Sequence, residues 1–352
     1  MAYAMTDLPL PGTLPFDEVI DVRAPAEFAE DHVPGAINLP VLSDAERARV
    51  GTIYVRQDRF LARKVGAALV ARNAADHIDG PLADRDGGWR PLVMCWRGGQ
   101  RSGSFASILS QIGWRVDVLD GGYRSYRRLV KARLYDEVVP HRLVVIDGGT
   151  GCGKTVLLRH IAEAGGQVVD LEALAAHRGS NFGGLAEPQP AQKMFESRLA
   201  LALGRLDPAQ PVFVEAESNA IGRVLVPPSV WTAMRGARVV RIDAPLAARA
   251  RHLIETYPDL TADADLLASR IDALRSYHAR DRIAHWHDLA GARDFATLAE
   301  ELIDAHYDPR YRTVARDALA APLSLGGLSE EDFRMAAARI LEMAGDGDGP
   351  DA

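Results

Sequence analysis

Residues 142–155, RLVVIDGGTGCGKT, join an apolar run of strand length to a glycine-rich turn. From Gly148 to Thr155 the turn satisfies the pattern G-x-x-x-x-G-K-[ST], and a helical sequence, VLLRHIAEAG, follows it. A strand, a turn and a helix in this order form the setting in which backbone amides bind a di- or triphosphate. The stretch therefore predicts a P-loop domain of the α/β class.

The phosphate-binding residues that this pattern predicts are Gly148, Gly149, Thr150, Gly151, Cys152, Gly153, Lys154 and Thr155. Lys154 would neutralise the phosphates, and the hydroxyl of Thr155 is a candidate ligand for Mg²⁺. Cys152 occupies a variable position of the pattern, where we expect it to be a small filler. These residues do not identify a resident metal.

Three further strand-like runs follow the phosphate loop, separated by helical sequence: QVVDLEAL, PVFVEAES and ARVVRIDAP. From about Asp263 onward the pattern is helical. We therefore predict a P-loop NTPase-like α/β domain over residues 140–322 with a helical C-terminal part. A C-terminal helix and a disordered tail are predicted over residues 323–352.

Polar residues near the ends of two of these strands are candidates for a second part of the phosphate site: His177, Arg178, Ser180, Glu215 and Glu217. The strand-end glutamates would bind substrate or a metal-bound water. A solvent-facing strand end and a glycine-stabilised surface turn are the alternative interpretations, and the sequence does not decide between them.

A second glycine-rich loop, CWRGGQRSG from Cys95 to Gly103, ends the apolar run LVMCW in the first half of the chain. Strand-like and helical stretches alternate on both sides of it. Such alternation predicts a parallel sheet, whose active sites lie at the carboxyl ends of strands. We therefore predict a separate parallel-sheet α/β domain over residues 14–133, with Cys95 at such a strand end.

The residues around Cys95 are of the kinds that favour a thiolate. We expect Arg97 and Arg101 to supply positive charge, and the loop and the helix beginning near Ser102 to direct free amides at the sulfur. The predicted catalytic residues are Cys95, Arg97 and Arg101. Their spacing fits both a cysteine phosphatase and a carrier of sulfur or selenium, and a buried structural cysteine is the third interpretation.

The composition is that of a soluble globular protein, since 47% of the 352 residues are hydrophobic and 25% are charged. Acids and prolines occupy the N-terminus in place of a signal peptide, and no apolar run approaches the roughly 20 residues of a membrane span. We expect a cytoplasmic protein with no membrane partner. The formal net charge of -7 argues against indiscriminate coating of nucleic acid.

One helical segment is nevertheless strongly basic, and it lies between the two glycine-rich halves. Its candidate tRNA-binding residues are Arg124, Arg127, Arg128, Lys131 and Arg133. Tyr123 and Tyr126 are predicted to be available for stacking on bases. A solvated helix face is the alternative interpretation.

Two family resemblances rest on these loops and on further segments. The segment DVRAPAEFAEDHVPGAINLP, residues 21–40, resembles the rhodanese signature. From Leu14 to about Leu319 the chain resembles the tRNA 2-selenouridine synthases, which fuse a rhodanese-like domain to a P-loop domain. Besides the two loops, the matching segments are HRGSNFG, FESRL and YDPRY. The segment EAESNAIG departs from the family pattern at Ala216 and Asn219.

The second resemblance implies a transferase that converts 2-thiouridine at position 34 of tRNA to 2-selenouridine. A geranyl group from geranyl diphosphate is attached to the sulfur, and selenium from selenophosphate then replaces it, with no obligatory ATP. The implied partners are the anticodon loop of 2-thiouridine-containing tRNAs and, as a candidate, the enzyme that supplies selenophosphate. A rhodanese-fold cysteine phosphatase or sulfurtransferase with a nucleotide-binding domain is the alternative, and a non-catalytic tRNA-binding or sulfur-relay adaptor is a further one.

Overall fold

A computed structural model of the chain describes residues 1–179, 183–184, 188–310 and 322–345. The chain divides into two compact units. The first contains residues 1–138 and 190–205, and the second contains residues 139–189 and the chain from Leu206 onward. No helix among the described residues is long and apolar enough to cross a membrane.

Residues 1–138 contain five strands and five α-helices in alternation. The strands are β1 (Ala2–Tyr3), β2 (Glu18–Asp21), β3 (Ile37–Asn38), β4 (Pro91–Met94) and β5 (Asp117–Leu119). The helices are α1 (Pro25–Glu30), α2 (Asp44–Arg56), α3 (Arg59–Asp79), α4 (Gln100–Ile112) and α5 (Tyr123–Lys131), the last continued by a π-helical turn, Ala132–Asp136.

The five strands form one parallel sheet in the order β1-β5-β4-β2-β3. All four residues of β4 are buried, as expected for the central strand of a sheet that is covered on both faces. Phe105 and Leu109 of α4 pack with Val93 of β4 in the core. The loop that begins at Cys95 therefore lies at the carboxyl end of the central strand.

Among the described residues after 138, the strands are β6 (Arg142–Asp147), β7 (Gln167–Val169), β8 (Pro211–Glu215), β9 (Ala220–Ile221), β10 (Val224–Leu225), β11 (Arg238–Asp243) and β12 (Leu323–Ser324). The helices are α6 (Lys154–Glu163), α7 (Leu171–Ala175), α8 (Gln192–Gly204), α9 (Pro228–Gly236), α10 (Leu246–Thr256), α11 (Pro258–Ala262), α12 (Ala264–Asp272), α13 (Arg280–Gly291), α14 (Phe295–Leu302) and α15 (Glu330–Gly345). A π-helical turn (Ile303–Tyr307) and a 3-10 turn (Asp308–Arg310) follow α14.

The second unit has its own parallel sheet, in the order β12-β11-β6-β8-β7. The hairpin β9–β10 is antiparallel and stands apart from it. The phosphate loop leaves the carboxyl end of β6, which lies between β8 and β11. A crevice at such a position is where open α/β sheets bind ligands. The predicted pair of α/β units with parallel sheets is confirmed.

The C-terminal segment is part of the second unit. Strand β12 adds an edge to the sheet beside β11, and Phe333, Ala336 and Ile340 of α15 join the apolar core that covers α6. Burial of that face explains why the predicted C-terminal helix packs on the P-loop unit. The tail from residue 346 onward, predicted to be disordered, lies outside the described residues.

Helix α8 packs with the first unit, although its chain neighbours belong to the second. Phe195, Glu196 and Ser197 of this helix are buried. At Gly204 a Cβ would come within 3.1 Å of the Leu10 side chain, so the absence of a side chain permits this approach. The predicted boundaries place this segment in the P-loop domain, whereas the tertiary contacts group it with residues 1–138.

Helices α12, α13 and α14 form a small core of their own in the second unit. Trp286 and Ile271 are fully buried in it, and Leu298 is nearly so. The helical C-terminal part that the sequence predicts is therefore confirmed as a packed helical region.

Candidate functional site

The thiol of Cys95 is held by hydrogen bonds at the mouth of its loop. The Ser102 hydroxyl oxygen lies 3.1 Å from the sulfur, and the amide of Gly99 donates to the sulfur over 3.3 Å. Cys95 itself is only 4% exposed. Ser102 belongs to the first turn of α4, so the amides of that helix start and the serine side chain converge on one atom.

Burial alone would raise the pKa of the Cys95 thiol, but these hydrogen bonds outweigh it and lower the pKa. The contributions come from the Ser102 side chain and from the backbone amides of Ser102, Arg97 and Gly99. Hydrogen bonds to the charged form favour ionisation. The predicted low-pKa thiol is thus supported by the geometry, with amides and a hydroxyl as the cause in place of the expected arginine charges.

The two arginines of this loop have different surroundings. Arg101 donates to the carboxylate of Glu27 over 2.7 Å, and Glu27 is shared with Arg47 at 2.9 Å. These partners outweigh burial and lower the pKa of Glu27. Arg97 has an exposed side chain. Arg101 is therefore oriented by an ion pair, whereas Arg97 presents its guanidinium to solvent near the loop.

The thiol loop is closed by the turn that follows β5. Tyr123 donates its amide to the Cys95 carbonyl over 2.8 Å. At Gly122, whose φ is +60°, a Cβ would collide with the same carbonyl oxygen. A side chain cannot be accommodated where two backbones approach so closely. The glycine at residue 122 is thus a structural requirement of the thiol loop.

A buried polar network lies beneath this turn. Arg23 forms a bidentate pair with Asp21 and lies 3.9 Å from the centre of the Tyr123 ring. The Tyr123 hydroxyl donates to Asp31 over 2.6 Å. Buried charges persist only when paired and hydrogen-bonded, and each member of this network has such a partner. The network connects the rhodanese-like signature residues to the start of α5.

The structure separates the predicted basic strip into two groups. Arg124, Arg128 and Lys131 are exposed on one face of α5. Arg127 points inward and pairs with the carboxylate of Glu196 on α8. Arg133 lies near Asp7 at 3.4 Å and Glu137 at 3.5 Å.

The predicted stacking role of Tyr123 and Tyr126 is wrong, because both rings are buried. The apolar face of an amphipathic helix carries these tyrosines, and their position in a basic segment did not reveal it. The exposed cations of α5 therefore stand without an adjacent aromatic residue of this helix.

Two glycines of the phosphate loop have the left-handed backbone conformation. Gly151 and Gly153 have φ of +82° and +75°. Lys154 donates to the Gly148 carbonyl over 3.1 Å, which folds the lysine across the loop. Cys152 is 1% exposed and belongs to the core, in agreement with its predicted role as a filler.

Arg249 of α10 braces the phosphate loop from the other side. Its Nε donates to the Thr150 carbonyl over 2.8 Å, and its two terminal nitrogens donate to Asp308 over 2.9 and 2.6 Å. A bidentate pair of this kind fixes the guanidinium plane. Arg249 therefore holds the backbone of the loop in place from the helical region.

Carboxylates gather beside Lys154 and Thr155. The Thr155 hydroxyl donates to Glu172 over 3.1 Å, and Glu215, which is fully buried, accepts from the Glu172 amide over 2.8 Å. Burial and the charge of Glu172 raise the pKa of Glu217 to about 8, so Glu217 is protonated at neutral pH. Burial and the charge of Asp170 raise the pKa of Glu215 well above its usual range.

A cavity of 1070 Å³ lies over the phosphate loop. The cavity is lined by residues from the predicted sites, namely Thr150, Gly151, Gly153, Lys154, Thr155, Arg178 and Glu217. Ala216 and Asn219, where the sequence departs from the family pattern, also line it. Arg178 pairs with Asp259 at 3.1 Å at its edge. His177 accepts from the Gly179 amide over 3.1 Å, and Ser180 lies outside the described residues. Glu215 is buried beneath the cavity and does not line it.

Three residues of the two sites were not predicted from the sequence. Ser102 had a local signal, because it follows Cys95 at the start of the same helix. Glu172 follows the strand β7 by three residues, at the carboxyl edge where α/β sites form. Arg249 had no signal in the sequence, since 99 residues separate it from Thr150. Within the part of the chain that the structure describes, no group of three or more His, Cys, Asp or Glu side chains is arranged to hold a metal ion.

Comparisons with known proteins match each half of the chain to a family model. A model of the rhodanese-like domain matches residues 10–129, and a model of the tRNA 2-selenouridine synthase AAA domain matches residues 141–280. The fused architecture and the α/β fold that the sequence predicts are therefore confirmed.

Matches to curated relatives extend across both units. A tRNA 2-selenouridine synthase of Nitrosomonas europaea is 40% identical over 68% of this chain and 63% of its own length. That of Bdellovibrio bacteriovorus is 34% identical over 89% of this chain and 78% of its own. The protein of the same name from Shewanella frigidimarina is 31% identical over 83% of this chain and 87% of its own.

Proposed function

The chain belongs to the tRNA 2-selenouridine synthase family, and on this premise we propose that it replaces the sulfur of 2-thiouridine at position 34 of tRNA with selenium. The observation that carries the proposal is the union, in one chain, of a hydrogen-bonded low-pKa thiol with a phosphate loop. Neither a hydrolase nor a simple sulfurtransferase has an evident use for both.

The first step that we propose takes place at the phosphate loop. The sulfur of 2-thiouridine attacks C1 of geranyl diphosphate, so a carbon–sulfur bond forms and the C1–oxygen bond breaks. The electron pair of that bond leaves with the diphosphate, whose charge the loop amides and Lys154 would stabilise. Thr155 offers an oxygen donor of the type that Mg²⁺ takes, and a bound Mg²⁺ would add positive charge beside the leaving group.

The second step that we propose uses Cys95. Alkylation turns the sulfur into a better leaving group, and selenium from selenophosphate then replaces the geranylthio group at C2 of the base. In this exchange a carbon–selenium bond forms at C2 and the carbon–sulfur bond breaks, with its electron pair leaving on geranylthiolate. The Cys95 thiolate would then attack the phosphorus of the selenium-bound phosphoryl group, so that a sulfur–phosphorus bond forms, the selenium–phosphorus bond breaks and selenium stays on C2. Water would hydrolyse the phosphocysteine, release phosphate and restore the thiol, while the loop amides and Ser102 stabilise the negative phosphoryl oxygens. Arg101, held by Glu27, and the exposed Arg97 would position the phosphate end of selenophosphate. No step requires ATP.

The tRNA would be bound in part by the exposed face of α5. The exposed cations Arg124, Arg128 and Lys131 would contact phosphates of the tRNA backbone, which supply affinity without reading sequence. Arg127 is paired with Glu196 and does not belong to this face. A selenophosphate-supplying enzyme is the second partner that we propose.

The experiment that tests the function is mass spectrometry of nucleosides from 2-thiouridine tRNA incubated with the protein. Geranyl diphosphate alone should yield S-geranyl-2-thiouridine, and addition of selenophosphate should yield 2-selenouridine. Unmodified 2-thiouridine with folded protein would refute the proposal. Release of phosphate from aryl phosphates under the same conditions would instead support the cysteine-phosphatase alternative.

A further inference from the structure

A second cavity lies beside the phosphate cavity, and its surface is almost wholly apolar. It measures about 80 Å³ and is formed mainly by side chains of α10, α11, α12 and α14. The apolar residues that enclose it include Leu253, Leu260, Leu267, Phe295, Leu298 and Leu302. Protein cores are close-packed, so we would expect side chains to fill this space if the helical region served only for packing.

The apolar cavity adjoins the site of the phosphates. The residues that border both spaces are Thr150, Leu253, Tyr257 and Tyr307. Thr150 belongs to the phosphate loop, and Arg249 fixes its carbonyl oxygen. A ligand whose diphosphate lies on the loop would therefore extend directly into the apolar space.

The chemistry of the two spaces restricts the ligand class. A nucleoside diphosphate would place the polar edges of a base against an apolar lining, where those groups would lose their hydrogen bonds to water without replacement. A hydrocarbon chain has no such groups, and its burial away from water is favourable. An anionic head on an apolar chain suits both spaces.

We propose that the cavity among α10, α12 and α14 binds the far end of the hydrocarbon chain of a prenyl diphosphate and selects its length. This inference rests on the function proposed above and adds the place and the limit of the donor chain. By the same measure this space is small, 80 Å³ against 1070 Å³ for the phosphate cavity, so only the end of a chain would enter it. A chain five carbons longer than geranyl would have to displace the packed leucine and phenylalanine side chains that enclose it.

The test measures binding by titration calorimetry, without tRNA or turnover. The ligands are inorganic diphosphate and the dimethylallyl, geranyl and farnesyl diphosphates, with ATP as the nucleotide. The proteins are the wild type, Ala299→Phe, which fills the cavity, and Ala296→Phe, which adds the same ring to the exposed face of the same helix. We expect geranyl diphosphate to bind the wild type at least tenfold more tightly than inorganic diphosphate or either other chain.

Ala299→Phe should lose this tenfold preference and keep its affinity for inorganic diphosphate, whereas Ala296→Phe should resemble the wild type. An unchanged geranyl preference in Ala299→Phe would overturn the cavity assignment and leave the proposed function intact. Tighter binding of ATP than of every prenyl diphosphate would overturn both. If Ala299→Phe fails to fold, Phe295→Ala decides, because a larger cavity should improve farnesyl binding, and no improvement would overturn the inference.

Discussion

The Ser102 hydroxyl lies 3.1 Å from the Cys95 sulfur and lowers the pKa of the thiol. The two residues are joined by the last turn of a loop and the first turn of α4. Arg97 contributes through its backbone amide, and Arg101 directs its guanidinium to Glu27. The ionisation of the thiol therefore depends on hydrogen bonds, of which the one from the Ser102 side chain can be removed by a single substitution.

Replacing Ser102 with alanine should raise the pKa of Cys95. The hydrogen bond to a charged sulfur contributes about 1.5 kcal/mol, so the rate of alkylation by iodoacetamide at neutral pH should fall about tenfold. The midpoint of the alkylation rate against pH, followed by peptide mass spectrometry, measures the shift directly. Because burial raises the pKa of Cys152, that residue gives a slow internal reference in the same digest.

Ser104→Ala is the matched control, because Ser104 is exposed on the same helix. It should leave the midpoint unchanged. An equal shift in both variants would mean that the alanine acts through α4 as a whole, and no shift in Ser102→Ala would show that the loop amides are sufficient.

The two steps of the proposed reaction should separate by substitution. Cys95→Ala should retain geranylation of 2-thiouridine and lose formation of 2-selenouridine. Lys154→Ala should lose geranylation by a factor of at least about 100, since it removes a cation from the leaving diphosphate. Nucleoside mass spectrometry with each substrate supplied alone distinguishes the two results.

Supplying tRNA that is already S-geranylated is the decisive control for Lys154→Ala. This variant should then form 2-selenouridine at the wild-type rate. Arg159→Ala, an exposed cation on α6, should change neither step. Loss of geranylation in Cys95→Ala would refute the division of labour between the loops.

Helix α8 should depend on Glu196 for its attachment to the first unit. Glu196→Ala leaves the guanidinium of Arg127 and the Tyr135 hydroxyl without their carboxylate. Breaking a buried pair costs about 3–5 kcal/mol, and we expect about 2–3 here because Arg127 is 21% exposed.

Hydrogen exchange of the α5 and α8 peptides measures the stability lost in Glu196→Ala at these two helices. A local measurement is needed because a chain of two units need not unfold in one step. Lys193→Ala is the control on the same helix, since its pair with Glu30 is largely exposed and should contribute under about 1 kcal/mol. Equal protection in wild type and Glu196→Ala would contradict the role assigned to the buried pair.

Two glycines near Cys95 should respond in opposite directions to alanine. Gly122→Ala should lower the midpoint of thermal unfolding and raise the pKa of Cys95, because its Cβ would displace the Cys95 carbonyl. Gly103→Ala, in the middle of α4 with open space around it, should stabilise the helix by about 0.5–1 kcal/mol. Differential scanning calorimetry of both variants makes the comparison. A Gly122→Ala protein as stable as the wild type would mean that the turn can move away.

Contiguous patterns in the sequence determined both parallel sheets and both loops. The strands β4 and β6, the loops that follow them and the helices α4 and α6 depend on residues that are adjacent in the chain. Local turn chemistry and hydrophobic periodicity decide such units. For the same reason Cys95, Lys154 and Thr155 could be named before any contact was known.

Only the tertiary structure decided which distant side chains complete the two sites. Arg101 meets Glu27 across 74 residues, Arg127 meets Glu196 across 69, and Arg249 reaches Thr150 across 99. Nothing in the local pattern distinguishes these charges from solvated ones, since the energy of each pair depends on burial and geometry that the whole fold creates. The sequence by itself determined the two sheets and the chemistry of their loops. The packing of helices onto those sheets decided which charges brace the loops, which tyrosines are buried and where the apolar cavity lies.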